Sequence, residues 1–296
     1  MKLTKSFIQE VTGLTLDGPE FECDTLALSN SKIPRTLSFL DDEKFSNELN
    51  LNSNIAGVFI TQPLVEKVDN KHLIICDDPR YYFFTLLNEF GRRKYAKTPS
   101  IISPRAQIHP KAYVSEFNVM IGDNTVIGPH VTILADVEIG NNCIIQPGVV
   151  VGSEGFEYKR TSKGIVSVFH DGKVVIGNRV EIGANTCVDK GFSFRQTIIE
   201  DEVKIDNLVH IAHGVQIGKG AYIIASCMLG GSVTIKENVW IGPNASIAPG
   251  LTVEENGFVT LGSVATRNVS KNEWVTGNFA IPHQKFLRNL KKSLSE

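Results

Sequence analysis

The chain has 296 residues, with 30 Lys and Arg against 32 Asp and Glu, a net charge of −2 and a pI near 6.4. That length accommodates two domains with a substantial core, and the balanced charge supplies no basic field of the kind that attracts nucleic acid. Five dispersed cysteines (Cys23, Cys76, Cys143, Cys187, Cys227) without a C-x-x-C read as reduced thiols of a cytoplasmic protein, and no run of 18 apolar residues suggests a membrane span.

The N-terminal stretch MKLTKSFIQEVTGL has no apolar core of signal-peptide length, so it is expected to belong to the folded protein. Residues 1–98 read as a small α/β domain. A helix is predicted at Lys5–Thr12, strands at Thr25–Leu28, Gly57–Thr61 and Leu73–Cys76, and a helix from Arg80 to Phe90. Tyr82, Leu86 and Phe90 recur there at helical spacing behind an Asp78-Pro79 start signal. The basic run Arg92-Arg93-Lys94, which leads to Thr98-Pro99, reads as a linker.

From residue 99 to 275 the pattern changes. Aliphatic residues recur every sixth position, first at Ile108 and Val114, then from Ile121 to Val151. The longest run goes from Ile199 through Ile205, Ile211, Ile217, Ile223 and Leu229 to Val259 and Ala265. A period of six fits neither a helix nor a half-buried strand, and it marks a solenoid in which each repeat buries its apolar face against its neighbours. Three hexads make one triangular coil of about 18 residues, with coils stacked at about 4.8 Å. Residues 152–175 break the rhythm and are expected to be extruded as a loop, and a smaller slip falls at Lys190–Gln196. A C-terminal loop and basic helix, about His283 to Leu294, complete residues 276–296.

Hexads of this form resemble the hexapeptide-repeat acyltransferases. The fold expected is therefore mainly β: a left-handed parallel β-helix with a small N-terminal α/β domain and a C-terminal helix.

One dense polar cluster lies inside the long run, at Lys204 to Val215. Ile205 and Ile211 point inward, which leaves Asp206 and His213 free to project outward. Gly231 lies one coil beyond His213, so its N–H should stack beside the imidazole. A base next to an uncovered N–H is what an acyl-transfer oxyanion hole needs. Asp206 is expected to fix the His213 tautomer. A zinc reading built on His210 and His213 lacks a third spaced histidine, so no metal is expected.

Asp206-Asn207-Leu208 with Ile211-Ala212-His213, Gly155-Phe156, and Ile182-Gly183-Ala184-Asn185-Thr186 with Asp189-Lys190-Gly191 narrow the match. Together they resemble the UDP-3-O-acylglucosamine N-acyltransferase family over nearly the whole chain. The resemblance extends to Leu37-Ser38-Phe39-Leu40, Phe45 and Asp78-Pro79-Arg80-Tyr81 in the N-terminal domain. It implies transfer of an acyl group to a nucleotide-linked amino sugar, with His213, Asp206 and Gly231 catalytic. Phe39 and Phe45 would sandwich uracil, and Asn207 and His210 would be further substrate-binding residues. It also implies a homotrimer with no bound cofactor.

The family's Gly-Phe-Gly-Phe loop reads Gly155-Phe156-Glu157-Tyr158 here, and the late coils carry no methionines. The solenoid closes as Gly277-Asn278-Phe279-Ala280, more like coenzyme A-dependent acetyltransferases. Two donors therefore stay open: acyl carrier protein for lipid A, or a short acyl-CoA for surface polysaccharide. Arg288, Lys291 and Lys292 on the terminal helix would suit the acidic carrier protein. A non-catalytic scaffold is the remaining reading.

Overall fold

In the computed structural model, which describes residues 2–16, 18, 20–193, 195–277 and 280–294, the hexads form a triangular prism. Among the described residues, its sides are parallel sheets of eight, nine and eight short strands. Each inward aliphatic pairs with its counterpart one coil on: Ile205 with Ile223, Ile223 with Ile241, and Ile241 with Val259. These side chains are at most 3% exposed and form one continuous apolar column. Burying each contributes roughly 1.5–3 kcal/mol, while the residue before it points outward (Lys204, Tyr222, Trp240, Phe258). The outward aromatics Tyr222, Trp240, Phe258 and Trp274 stack in sequence along one side.

A second code of period six turns the corners. Asn118, Asn124, His130, Asp136 and Asn142, then Asn238 and Asn244, have φ between 55° and 66°. This left-handed conformation costs an ordinary L-residue about 1–2 kcal/mol, and Asn relieves the cost by local hydrogen bonding. Gly214 and Gly250 occupy equivalent corners. Leu208 (φ 59°, 60% exposed) is a branched residue held in the same conformation.

The register jumps at two places. Val151 pairs with Val188 and Val188 with Ile211, where uninterrupted coils pair residues 18 apart. The first insertion leaves the prism as expected, but as a hairpin, with residues 158–161 antiparallel to 164–167. This hairpin folds back on the N-terminal domain.

That domain holds a parallel sheet of four strands (Thr25–Leu26, Thr36–Leu40, Ile55–Ile60, His72–Ile75), paired in chain order. Thr36–Leu40 is a strand that the sequence reading does not single out. Helix α1 (Lys5–Thr12) falls where its pattern places it, capped by the Thr4 hydroxyl. Helix α2 (Ser46–Leu51) is one short turn. Helix α3 (Pro79–Lys94) is capped by Asp78 and runs four residues beyond the predicted end. Arg92, Arg93 and Lys94 therefore belong to its last turn, where positive charge suits the helix dipole, and not to a linker. Helix α4 (His283–Leu294) leaves Phe286 and Leu290 half exposed.

The two parts share a core. Val168 and Phe192, from the two insertions, are buried with Phe7, Phe83, Phe84 and Phe90 of the N-terminal domain. Asn88 of α3 donates to the Ser167 carbonyl at 2.7 Å and accepts from the Phe169 N–H at 2.7 Å. Asp78 accepts from the Ser162 N–H. If the stacked column is the source of stability, Ile223→Ala should cost about 2–5 kcal/mol in chemical denaturation. The outward Gln216→Ala should cost less than about 0.5 kcal/mol.

Candidate active site

His213 sits where the coil from Ile211 reaches its corner at Gly214, with its side chain 15% exposed. Two glycines allow backbone to approach both edges of its ring. A Cβ on Gly155 would lie 2.9 Å from Cδ2, and one on Gly231 would lie 2.5 Å from Cε1 and 2.7 Å from Nε2. No hydrogen bond among the described residues takes up the Gly231 N–H. The structure therefore brings together the pair of residues singled out in the sequence: an imidazole and an unpaired backbone donor beside it.

The carboxylate on the imidazole is not Asp206. Asp206 Oδ1 accepts from the N–H and the side-chain amide of Asn207, at 2.7 and 2.8 Å, and Oδ2 accepts from the Ala225 N–H at 3.2 Å. These bonds brace the corner through Leu208 and tie it to the next coil. Glu157, from the inserted hairpin, takes the role instead, with Oε2 3.2 Å from His213 Nε2. Its other oxygen pairs with the Lys159 ammonium. Burial alone would raise the Glu157 carboxyl. The hydrogen bond from His213 and the ammonium of Lys159 instead hold it below its usual value. His213 Nδ1 is buried and has no partner, so Nε2 is the ring nitrogen that other groups reach.

Behind this pair, the Gly155 N–H donates to His170 Nε2 at 3.1 Å, and His170 Nδ1 donates to the Val168 carbonyl at 3.0 Å. Burial pushes His170 below its ordinary value. Phe192 packs edge-on to the His213 ring at 5.1 Å. The insertions therefore wall the base from within one chain.

Phe39 and Phe45 meet in a pocket of about 360 Å³, shared with Asn30, Asp41, Glu48, Arg80, Phe84 and Lys159. Phe39 leans on Phe83 at 4.8 Å, and Phe45 is 43% exposed. Asp41 holds Arg80 at 2.6 Å. Two links run from this pocket to the base. Lys159 lines the pocket and pairs with Glu157. Arg195, whose burial pulls it below its ordinary value, donates to Asn30 at 3.3 Å and to Ser232, next to Gly231, at 2.9 Å. Neither Glu157 nor Arg195 is marked by local spacing. The one trace in the sequence is the acidic residue in the Gly155-Phe156-Glu157-Tyr158 loop.

Asn207 is exposed, and its carbonyl oxygen accepts from the Ala184 N–H at 2.7 Å. His210, 47% exposed, faces Asp189 at 3.8 Å and not His213. Cys187, Asp189 and His210 offer donor atoms within 4.8 Å of one another. Burial raises the Cys187 thiol and disfavours its thiolate, and Ser153 already donates to Asp189 at 2.6 Å.

Residues 118–153 match the family described as bacterial transferase hexapeptide (six repeats). The UDP-3-O-acylglucosamine N-acyltransferase of Albidiferax ferrireducens is 32% identical over 295 residues, which span 95% of this chain and 89% of that one. The enzyme of the same name from Helicobacter pylori is 32% identical over 75% of this chain and 73% of its own. Among solved structures, UDP-N-acetylglucosamine acyltransferase from Campylobacter jejuni superposes with a TM-score of 0.51. The two are 22% identical over 64% of this chain and 79% of that one. That likeness bears on the fold, which is the expected left-handed parallel β-helix.

The Gly231 contact is directly testable. Gly231→Ala would force the imidazole aside and should lower the steady-state rate by at least about 100-fold, the scale of losing a positioned general base. Gly277→Ala, whose added methyl meets nothing within 4 Å, should leave the rate unchanged.

Proposed function

The chain belongs to the UDP-3-O-acylglucosamine N-acyltransferases, and from that membership we propose how its own residues perform the transfer. The enzyme moves an acyl group from a thioester to the amine of a nucleotide-linked amino sugar. A non-catalytic scaffold is thereby set aside. The observation that carries the proposal is the close approach of the Gly231 backbone to the Cε1–Nε2 edge of His213, with no described residue taking up the Gly231 N–H.

In this reading the nucleotide occupies the Phe39–Phe45 pocket, its base against the aromatic faces, and the sugar extends toward His213. The sugar nitrogen attacks the thioester carbonyl as His213 Nε2 removes its proton. The developing oxyanion is held by the Gly231 N–H. The C–S bond breaks, and His213 returns the proton to sulfur. No covalent acyl-enzyme is formed and no metal takes part. Cys227 is no nucleophile here: burial pushes its thiol up to about 11, and the thiol donates to the Gly242 carbonyl at 3.0 Å. Asp206 and Asn207 act by fixing the corner from which His213 projects.

The donor proposed is acyl carrier protein, on the strength of relatives matched over nearly the full chain and of the exposed basic α4 with Arg288 and Lys291. Turnover of an acyl-CoA with none from acyl carrier protein would reverse that choice. Of the Gly277-Asn278-Phe279-Ala280 close, Asn278 and Phe279 lie outside the described residues. A homotrimer is proposed, as for the family resembled above. An active monomer in light scattering would overturn it. The cytoplasm is the proposed location, where the five free cysteines stay reduced, and cell fractionation tests it.

Two variants separate the roles. His213→Ala should lower kcat by about 10²–10⁴ with the nucleotide-sugar affinity nearly unchanged. Phe39→Ala should raise the KM for the sugar nucleotide by the equivalent of about 1–3 kcal/mol and leave the KM for the donor as it was. Equal effects on both KM values would mean that Phe39 serves only the core.

A further inference from the structure

We propose that Glu157 is the amine-selecting residue of the acceptor site: its carboxylate binds the acceptor nitrogen as an ammonium against His213 Nε2 and discriminates against a hydroxyl acceptor. This rests on the reading of His213 as the base.

Catalysis must give up one contact of the resting base. Nε2 lies 3.2 Å from Glu157 Oε2 and supplies the N–H that this carboxylate receives when the ring is protonated there. Nδ1 is sealed and unpartnered, so the acceptor must be deprotonated by Nε2, which has to turn from donor to acceptor. Glu157 then loses the N–H it was receiving. Its side chain is only 13% exposed, and a mostly buried carboxylate left short of a donor is costly.

An arriving nitrogen lies within bonding range of both atoms, because Nε2 and Oε2 are 3.2 Å apart. An ammonium carries three N–H groups, so it donates to Nε2 and to Oε2 together. A hydroxyl carries one O–H. It can satisfy Nε2 or Glu157 but not both, and it turns a lone pair toward the other acceptor. The carboxylate is held ionised by the Lys159 ammonium on its other oxygen. Arg195, on the second insertion, lies near enough for its positive charge to interact with Glu157.

The protons balance. The bound ammonium passes one proton through His213 to water, and the neutral amine then attacks the thioester. The second N–H proton of the tetrahedral adduct goes to His213 and on to the departing sulfur. Ammonium and thioester become amide, thiol and one released proton.

The test compares three ligands on the full-length protein by calorimetry: UDP, the UDP-amino sugar acceptor, and the same sugar nucleotide with a hydroxyl in place of the amine. Wild-type protein should bind the amino sugar more tightly than the hydroxyl analogue. In Glu157→Gln, which keeps the shape but not the charge, that preference should shrink about 10- to 100-fold, as for a lost hydrogen bond to a charged group. UDP affinity should stay within about twofold, showing that the aromatic pocket is intact. Steady-state assays should show the loss for the amine chiefly in its KM. A preference for the amino sugar that survives intact in Glu157→Gln, with UDP still bound, would overturn the inference while leaving His213 and Gly231 in place. Wild-type protein that binds neither UDP nor the amino sugar would overturn the functional reading and this inference with it.

Discussion

Everything in this molecule depends on the vertical register of the apolar column. A coil of the prism cannot bury its aliphatic residues by itself, and it does so only when the coil above places an aliphatic residue directly over each. Ile205, Ile223, Ile241 and Val259 satisfy that condition along one side. The corner residues satisfy a second one, because each turn needs a left-handed backbone that Asn, Asp and Gly adopt at small cost. The two codes lock each other. A slip of one residue would put polar side chains inward and branched ones at the corners.

That register positions the site. His213 and Gly231 lie 18 residues apart, but the stacking places one beside the other, and the absence of a Cβ on Gly231 lets the backbone meet the ring edge. An ordinary globular fold would need several loops to bring a base and a backbone donor this close. Here one rung spacing does it, on a scaffold whose backbone hydrogen bonds run continuously between coils. Leu208, held left-handed at an exposed corner, shows local strain in the turn that leads to His213.

The insertions supply what the solenoid lacks. A regular prism presents flat outer faces, with no carboxylate aimed at His213 and no wall around it. The hairpin at 158–167 and the second insertion near Phe192 are anchored in the N-terminal core through Val168, Phe192 and Asn88. Anchoring them there carries Glu157 to the imidazole and Lys159 to the rim of the aromatic pocket. Electrostatics and architecture are therefore coupled: the segment that joins the two parts also sets the charge around the base.

The chain read in one dimension already holds the solenoid, its coil length, the site of the large insertion and the His213–Gly231 pair. Each depends on a fixed spacing, and in a one-dimensional stack, distance along the chain converts directly into distance in space. It also placed α1 and the core of α3, through capping residues and helical periodicity. Which carboxylate stands beside His213 is set by the packed fold. Asp206 is near in sequence, but its lone pairs are spent on Asn207 and Ala225. Glu157 is far in sequence and arrives because a hairpin folds back on another domain. The end of α3, the strand Thr36–Leu40 and the bridge made by Arg195 were hidden for the same reason. Long-range contacts decide them, and those contacts leave no period in the chain.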